Sequence, residues 1–202
     1  MKNKKSTKRI KNIFTFTVMI CSLCLFCGFL VTEKASAKKT TVKKVSSTLK
    51  NGTFTVSGKG KMPESAMPKA AQKKKIKKIV IKNGVTELPE DAFRDCSKAT
   101  VITIAPTVSR IGAMAFYNTG VEKISIPDEV KYIRENAFNS LLSSTSQKFS
   151  IRSVVLNNNI ETLPKYAFAG NKEIKVYTNK EIMIQRYTFD NCGEYEIIRL
   201  TH

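Results

Sequence analysis

The sequence predicts an α/β solenoid, and three observations predict it. An Ala-Phe pair recurs at near-constant spacing, apolar residues hold fixed offsets ahead of each Phe, and every unit opens with alternating β-branched residues closed by turn formers. A unit of about 22 residues cannot bury its own apolar ladder, so successive units must stack, and stability becomes a sum of neighbour interfaces.

The first 37 residues read as an export signal and are set aside from the fold. Lys2, Lys4, Lys5, Lys8, Arg9 and Lys11 form a basic start, an apolar run extends from Ile13 to Val31, and the small triplet Ala35-Ser36-Ala37 offers a cleavage site. Cleavage after Ala37 is the favoured expectation. The competing reading is an uncleaved anchor, because about 19 apolar residues can also span a bilayer. Lipid attachment at Cys24 or Cys27 is disfavoured, since Leu23 and Phe26 stand where a small residue is wanted.

The chain of 202 residues carries 35 basic and 16 acidic side chains, a formal charge of +19. Setting aside seven basic residues and one acidic residue with the signal leaves +13 for residues 38–202. Such a surface favours anionic partners. Residues 38–48 are polar and Lys-rich and are expected to form a flexible lead-in. Residues 49–78 are expected to cap the first coil, with strands from Leu49 to Val56 around the turn Asn51-Gly52.

Residues 79–173 hold four full units. Their pairs are Ala92-Phe93, Ala115-Phe116, Ala137-Phe138 and Ala167-Phe168, and Thr188-Phe189 is a weaker fifth. Phe93, Phe116, Phe138, Phe168 and Phe189 are thus the expected core positions, at spacings of 23, 22, 30 and 21 residues. The long step contains the polar stretch 140–147, an insertion of about eight residues expected to loop out. Twelve residues before each Phe stand Ile81, Ile104, Ile126 and Leu156; eight before, Val85, Val108, Val130 and Ile160; five before, Leu88, Ile111, Ile133 and Leu163. Two residues upstream of the first set are Ile79, Ile102, Ile124 and Val154, so each unit starts with one half-buried strand.

Asn83-Gly84, Pro106, Pro127-Asp128 and Asn157-Asn158 then turn the chain. The following segment, such as Leu88-Pro89-Glu90-Asp91-Ala92-Phe93, has Pro and acids suited to the first turn of a brief helix. Small Ala beside large Phe lets neighbouring coils approach while the ring fills the core. Residues 174–202 read as a degenerate repeat and C-terminal cap: counting back from Phe189 places Lys175 and Glu181 at slots that are apolar elsewhere.

The strings Val-Ile-Lys-Asn-Gly-Val-Thr-Glu-Leu-Pro-Glu-Asp-Ala-Phe and Ile-Ser-Ile-Pro-Asp-Glu-Val-Lys-Tyr-Ile-Arg-Glu-Asn-Ala-Phe resemble bacterial leucine-rich repeats of the BspA-like type. Residues 51–63 resemble the entry segment found ahead of such arrays. Together the likeness covers about residue 49 to 190. It implies a right-handed leucine-rich-repeat-like stack and a secreted or surface-displayed binding protein, adhesion among its roles. It brings no catalytic residues.

Candidates for chemistry are few. The single histidine, His202, ends the chain, where a base is not held in register. Cys96, Cys192 and scattered acids lack metal-ligand spacing, and no glycine motif cradles a phosphate. Neither an enzyme, a cofactor nor a metal is expected. Cys96 and Cys192 lie in the first and last units, roughly 19 Å apart at strand spacing, so free thiols are expected in place of a disulfide.

Two regions are candidates for binding. Lys69, Lys73, Lys74, Lys75, Lys77 and Lys78 form a dense patch that either solubilises the array or contacts a polyanion, for which wall polymers, anionic lipid or sulfated glycans fit an exported chain better than nucleic acid. Strand alternation turns Lys78, Val80, Lys82, Val101, Thr103, Lys123, Ser125, Ser153, Val155 and Asn157 outward as possible ligand contacts, a face expected to lack Trp, Tyr and Arg anchors. Two functions follow: a surface module that recognises a protein or anionic glycan, or an envelope-associated protein held to anionic wall polymers by charge. Membrane contact is expected through the signal segment alone, if it is retained.

Overall fold

A computed structural model describes residues 43–140 and 150–200. The expected export signal, most of the polar insertion and His202 lie outside the described residues. Strand β1 (Ser46–Lys50) pairs antiparallel with β2 (Thr53–Ser57). The linking Asn51 and Gly52 have φ of 46° and 76°, and positive φ at both central residues gives the turn whose twist suits a two-residue hairpin.

Fourteen strands run through the described residues. The long sheet continues from β2 into the parallel strands β4 (Lys78–Ile81) and β6 (Val101–Thr103), and a second run consists of β8 (Lys123–Ser125), β10 (Ser153–Val155), β12 (Glu173–Thr178) and β14 (Glu194–Arg199). On the return side of the coils lies a second set of strands. β3 (Gly60–Lys61), β5 (Val85–Leu88), β7 (Arg110–Ile111) and β9 (Tyr132–Ile133) pair in that order, and β11 (Thr162–Leu163) pairs with β13 (Met183–Ile184). The architecture is a parallel-strand solenoid of about six turns.

The core is the ladder that the spacing implies. Phe93, Phe116, Phe138 and Phe168 are fully buried, with successive ring centroids 5.4, 5.4 and 5.5 Å apart and planes within 11° of parallel. Phe189 extends the stack at 6.0 Å but is only partly covered. Ala92, Ala115, Ala137 and Ala167 have no exposed surface. Each ring is therefore sandwiched between rings of adjacent coils, and the alanines leave room for the backbones to approach.

The brief helices expected opposite the strands are absent from the described repeats and must be corrected. Among the described residues, helix is confined to one 3-10 turn at Glu64–Ala66 and α1 (Ala70–Lys73), both before the first full unit. The reason lies two residues before each Phe and, in four of the five coils, two residues after it. Asp91, Met114, Asn136, Tyr166 and Tyr187 all have φ between 51° and 67° ahead of the ring, and Asp95, Asn118, Gly170 and Asn191 have φ between 52° and 73° behind it. Left-handed residues interrupt any right-handed helix. They instead aim alternate amides along the stack: the N–H of Phe93 donates to the Ala115 carbonyl, Phe116 to Ala137 and Phe138 to Ala167, at 2.8 to 2.9 Å. Where both strand sheets are continuous, a coil is thus bonded to the next on three sides.

The last unit also departs from expectation. Val176, and not Lys175, pairs with Val154, and Ile174, Val176 and Thr178 are buried while Lys175 faces out. One residue is missing downstream, since Thr162 pairs with Met183 at an offset of 21 while Val154 pairs with Val176 at 22. Strand β14 then adds to β12 as a further parallel strand, and Met183, Ile184, Tyr187, Tyr195 and Leu200 are exposed at this end.

Candidate ligand-binding face

Strand register brings outward residues from different coils into rows. One row reads Lys50, Thr53, Lys78 and Val101 on β1, β2, β4 and β6, and then Lys123, Ser153, Lys175 and Glu196 on β8, β10, β12 and β14. A parallel row reads Thr48, Thr55, Val80 and Thr103, then Ser125, Val155, Tyr177 and Ile198. Lysine therefore returns on every second strand of the first row, beside a row of hydroxyl and β-branched residues.

The two runs of the long sheet do not pair between β6 and β8, and a cleft of about 440 Å³ opens there, lined by Thr100, Val101, Ile102, Glu122 and Lys123. Val101 and Val155, 47% and 40% exposed, give the face two apolar contacts open to water. Among the described residues, Lys50, Lys78 and Lys123 join no ion pair, whereas Lys175 Nζ lies 3.3 Å from Glu196 Oε2. The face is basic over most of its length. It turns acidic at the β12–β14 edge through Glu173, Glu194 and Glu196.

The lysine patch divides. Lys69 caps α1, its N–H bonded to Gln72 Oε1 at 2.9 Å, and Lys73 to Lys75 belong to α1 and the turn after it, off the long sheet. Lys78 opens β4 and joins the outward row. Of the expected face residues, Val80, Lys82, Thr103, Lys123, Ser125 and Val155 point outward or sit exposed, but Asn157 is buried and is corrected. Its amide donates to the carbonyls of Pro127 and Val130, and its Oδ1 accepts from Asn159 and Ile160 N–H groups. It ties two coils together at the junction where β9 and β11 do not pair.

Sequence reasoning missed Lys50, Lys175 and Tyr177 on this face. Lys50 was assigned to the cap, and counting back from Phe189 across the missing residue put Lys175 in the core frame. Ile174 and Val176, alternating around Lys175, carried the correct frame.

Reactive groups are not gathered. No cluster of three His, Cys, Asp or Glu side chains able to hold a metal ion occurs among the described residues. Cys96 is buried and its thiol is pushed up to about 12 by that burial, and burial also raises Cys192. Neither thiol is a ready nucleophile at neutral pH. No helix among the described residues is long and apolar enough to cross a membrane.

The solenoid is similar to a crystal structure of a leucine-rich repeat protein from Eubacterium ventriosum, with a TM-score of 0.63 and 22% identity over 76% of this chain. The chain spans 42% of the length of that protein. A leucine-rich repeat protein from Bacteroides ovatus matches at 18% identity over 77% of this chain and 69% of its own, with a TM-score of 0.29. No curated protein matches. The model of the BspA-type leucine-rich repeat region matches residues 67–196 in six copies. This repeat count, the Phe-centred coils and the parallel strands agree, and the chain belongs to the BspA-type leucine-rich repeat family.

Proposed function

We propose that this chain is a non-enzymatic binding module working at the outside of a bacterial cell, secreted or held at the surface, that docks a macromolecular ligand across the outer face of its long sheet. The in-register outward row carries the reading: unpaired Lys50, Lys78 and Lys123 beside exposed Val101 and Val155 form an extended surface that the fold itself does not use. An extended surface of this kind suits a large partner, because anchors spread over several coils must be engaged together. Basic start, apolar run and small-residue triplet support export, and family membership supports binding and adhesion.

The test is retention of the labelled chain on isolated bacterial envelopes and on immobilised host glycoproteins. Val101→Glu with Val155→Glu should cut retention at least about tenfold, as buried charge at a docking face does, while Tyr132→Glu on the short-strand side should leave it intact. The reverse pattern overturns the reading. Attachment to wall polymers by charge alone is the second reading, favoured by the net charge; it requires retention that vanishes at about 0.5 M salt and ignores both valine substitutions.

A further inference from the structure

We infer that the lysine row of the long sheet is a track for an extended polyanion, phosphate- or sulfate-bearing and without bases, lying along the stacking direction of the coils. The inference rests on the outer sheet face being the docking face and names the chemistry of what docks.

Register fixes the geometry. Lys50 is two strands from Lys78, and Lys123 is two strands from Lys175. At about 4.8 Å per strand, successive ammonium groups are rooted about 10 Å apart, with a wider step across the cleft between β6 and β8. A single small anion of a few ångströms reaches one such lysine at a time. Contact with several demands a chain whose charges recur along the same line, and only such a chain gains from the multiplied contacts.

The residues between the lysines fit this ligand. Thr53, Val101 and Ser153 alternate with them in the row, so no bulky side chain lifts a polymer off the surface. Alongside run Thr48, Thr55, Thr103 and Ser125, whose hydroxyls can donate to anionic oxygens. Tyr177 is the one aromatic residue in the paired outward rows, so the succession of stacking platforms used by single-stranded nucleic acid is missing. Glu196 bridges Lys175 at 3.3 Å and ends the track with opposite charge.

The order of the lysines, beyond their number, is what the proposal asserts, and a charge-matched pair of variants tests it. In the full chain, Lys50→Gln/Lys78→Gln/Lys123→Gln removes three row charges, and Lys69→Gln/Lys74→Gln/Lys75→Gln removes three from the neighbouring patch. Circular dichroism melts establish that both fold. Binding is titrated with long-chain inorganic polyphosphate and with dextran sulfate over a salt series. The row variant should weaken binding at least about 30-fold and flatten the log-log salt dependence by about two, while the patch variant changes affinity less than about threefold. Monomeric phosphate should not compete at equal phosphorus concentration.

Loss confined to the polyphosphate arm assigns a phosphate-bearing polymer, and loss confined to dextran sulfate assigns a sulfated glycan. Equal weakening by both variants, no binding in either arm, or tighter binding of oligo-dT than of polyphosphate of equal charge overturns the inference. If it fails while Val101→Glu/Val155→Glu still abolishes envelope retention, the docking face stands without its polyanion. If those valine substitutions are also silent, both fall.

Discussion

Phe138 and Phe168, thirty residues apart in the chain, lie ring on ring with centroids 5.5 Å apart and planes 5° from parallel. Phe116 and Phe138, only 22 residues apart, stack at 5.4 Å and 8°. The coil therefore closes with the same geometry whether or not the polar insertion is present. Phe138 is covered on both sides, and Phe138→Ala should cost about 3–5 kcal/mol, the usual loss for a buried ring that leaves a cavity. Phe189→Ala should cost less, because that ring is partly exposed and the stack continues beyond it only to Tyr195, at 4.4 Å. Urea unfolding of the two variants gives the comparison. A larger loss at Phe189 would contradict a core centred on the middle coils.

Large apolar side chains made this core readable before any coordinates, because Ile, Val, Leu and Phe at fixed offsets have one economical solution, the stacked coil. The return segment was not readable in the same way. Asp91, Met114, Asn136, Tyr166 and Tyr187 share a left-handed backbone but no common side-chain preference, so the conformation is imposed by hydrogen bonds to the next coil and leaves little trace in composition. Leu-Pro-Glu-Asp-Ala-Phe looks helical by local propensity alone, and tertiary bonding overrides it. The outward face of the long sheet was half legible for another reason. Alternation placed Lys78 and Lys123 correctly, but a single missing residue reverses which side chains of a strand face water, and Lys175 and Tyr177 were lost to that slip.

The left-handed positions predict substitutions whose sign depends on backbone and little on contacts. Asn118 has φ of 52°, and its amide donates to Asp95 Oδ1 near the surface. Asn118→Gly should leave stability within about 0.5 kcal/mol of the parent, since Gly takes this conformation freely. Asn118→Val should destabilise by about 1–2 kcal/mol, because a β-branched side chain clashes there. At the equivalent slot of the next-but-one coil, Gly170 has φ of 73°, and an added Cβ would lie 1.8 Å from the Ser140 carbonyl oxygen. Gly170→Ala should therefore exceed Asn118→Val in cost. Thermal melts rank the three, and equal effects for Gly and Val at 118 would refute the backbone account.

Asn171 occupies the slot three residues after Phe168 and has no exposed surface. Its Oδ1 accepts the Ile151 N–H at 2.8 Å, and its Nδ2 donates to the Phe168 carbonyl at 2.7 Å. These bonds secure the chain as it re-enters the stack after the insertion. Asn171→Leu should cost about 2–3 kcal/mol despite its similar size, because a buried amide and carbonyl lose their partner. Hydrogen exchange offers the decisive reading: the Ile151 amide should lose protection in this variant more than the Phe116 amide, whose bond runs to Ala137. Uniform loss across the coils would show that Asn171 contributes only to global packing.

The last consequence concerns alkaline pH. Cys96 fills the corresponding slot after Phe93, and burial raises its thiol from 9.0 to about 12, with nearby Lys73 pulling down and Asp95 pushing up. A thiol that holds its proton more tightly in the folded chain than in the unfolded one gives its full contribution below about pH 9. That contribution declines as pH rises towards 12, because the unfolded chain ionises first. The melting temperature of the parent should thus fall more steeply between pH 9 and 11 than that of Cys96→Ala, which starts lower because of its cavity but lacks the titrating thiol. Lysines and tyrosines titrate in both proteins, so the difference in slope isolates Cys96. Iodoacetamide at pH 8, mapped by peptide mass, should modify the partly exposed Cys192 before Cys96. Parallel slopes, or earlier modification of Cys96, would mean that the first coil opens readily and that its core is looser than the stacked rings imply.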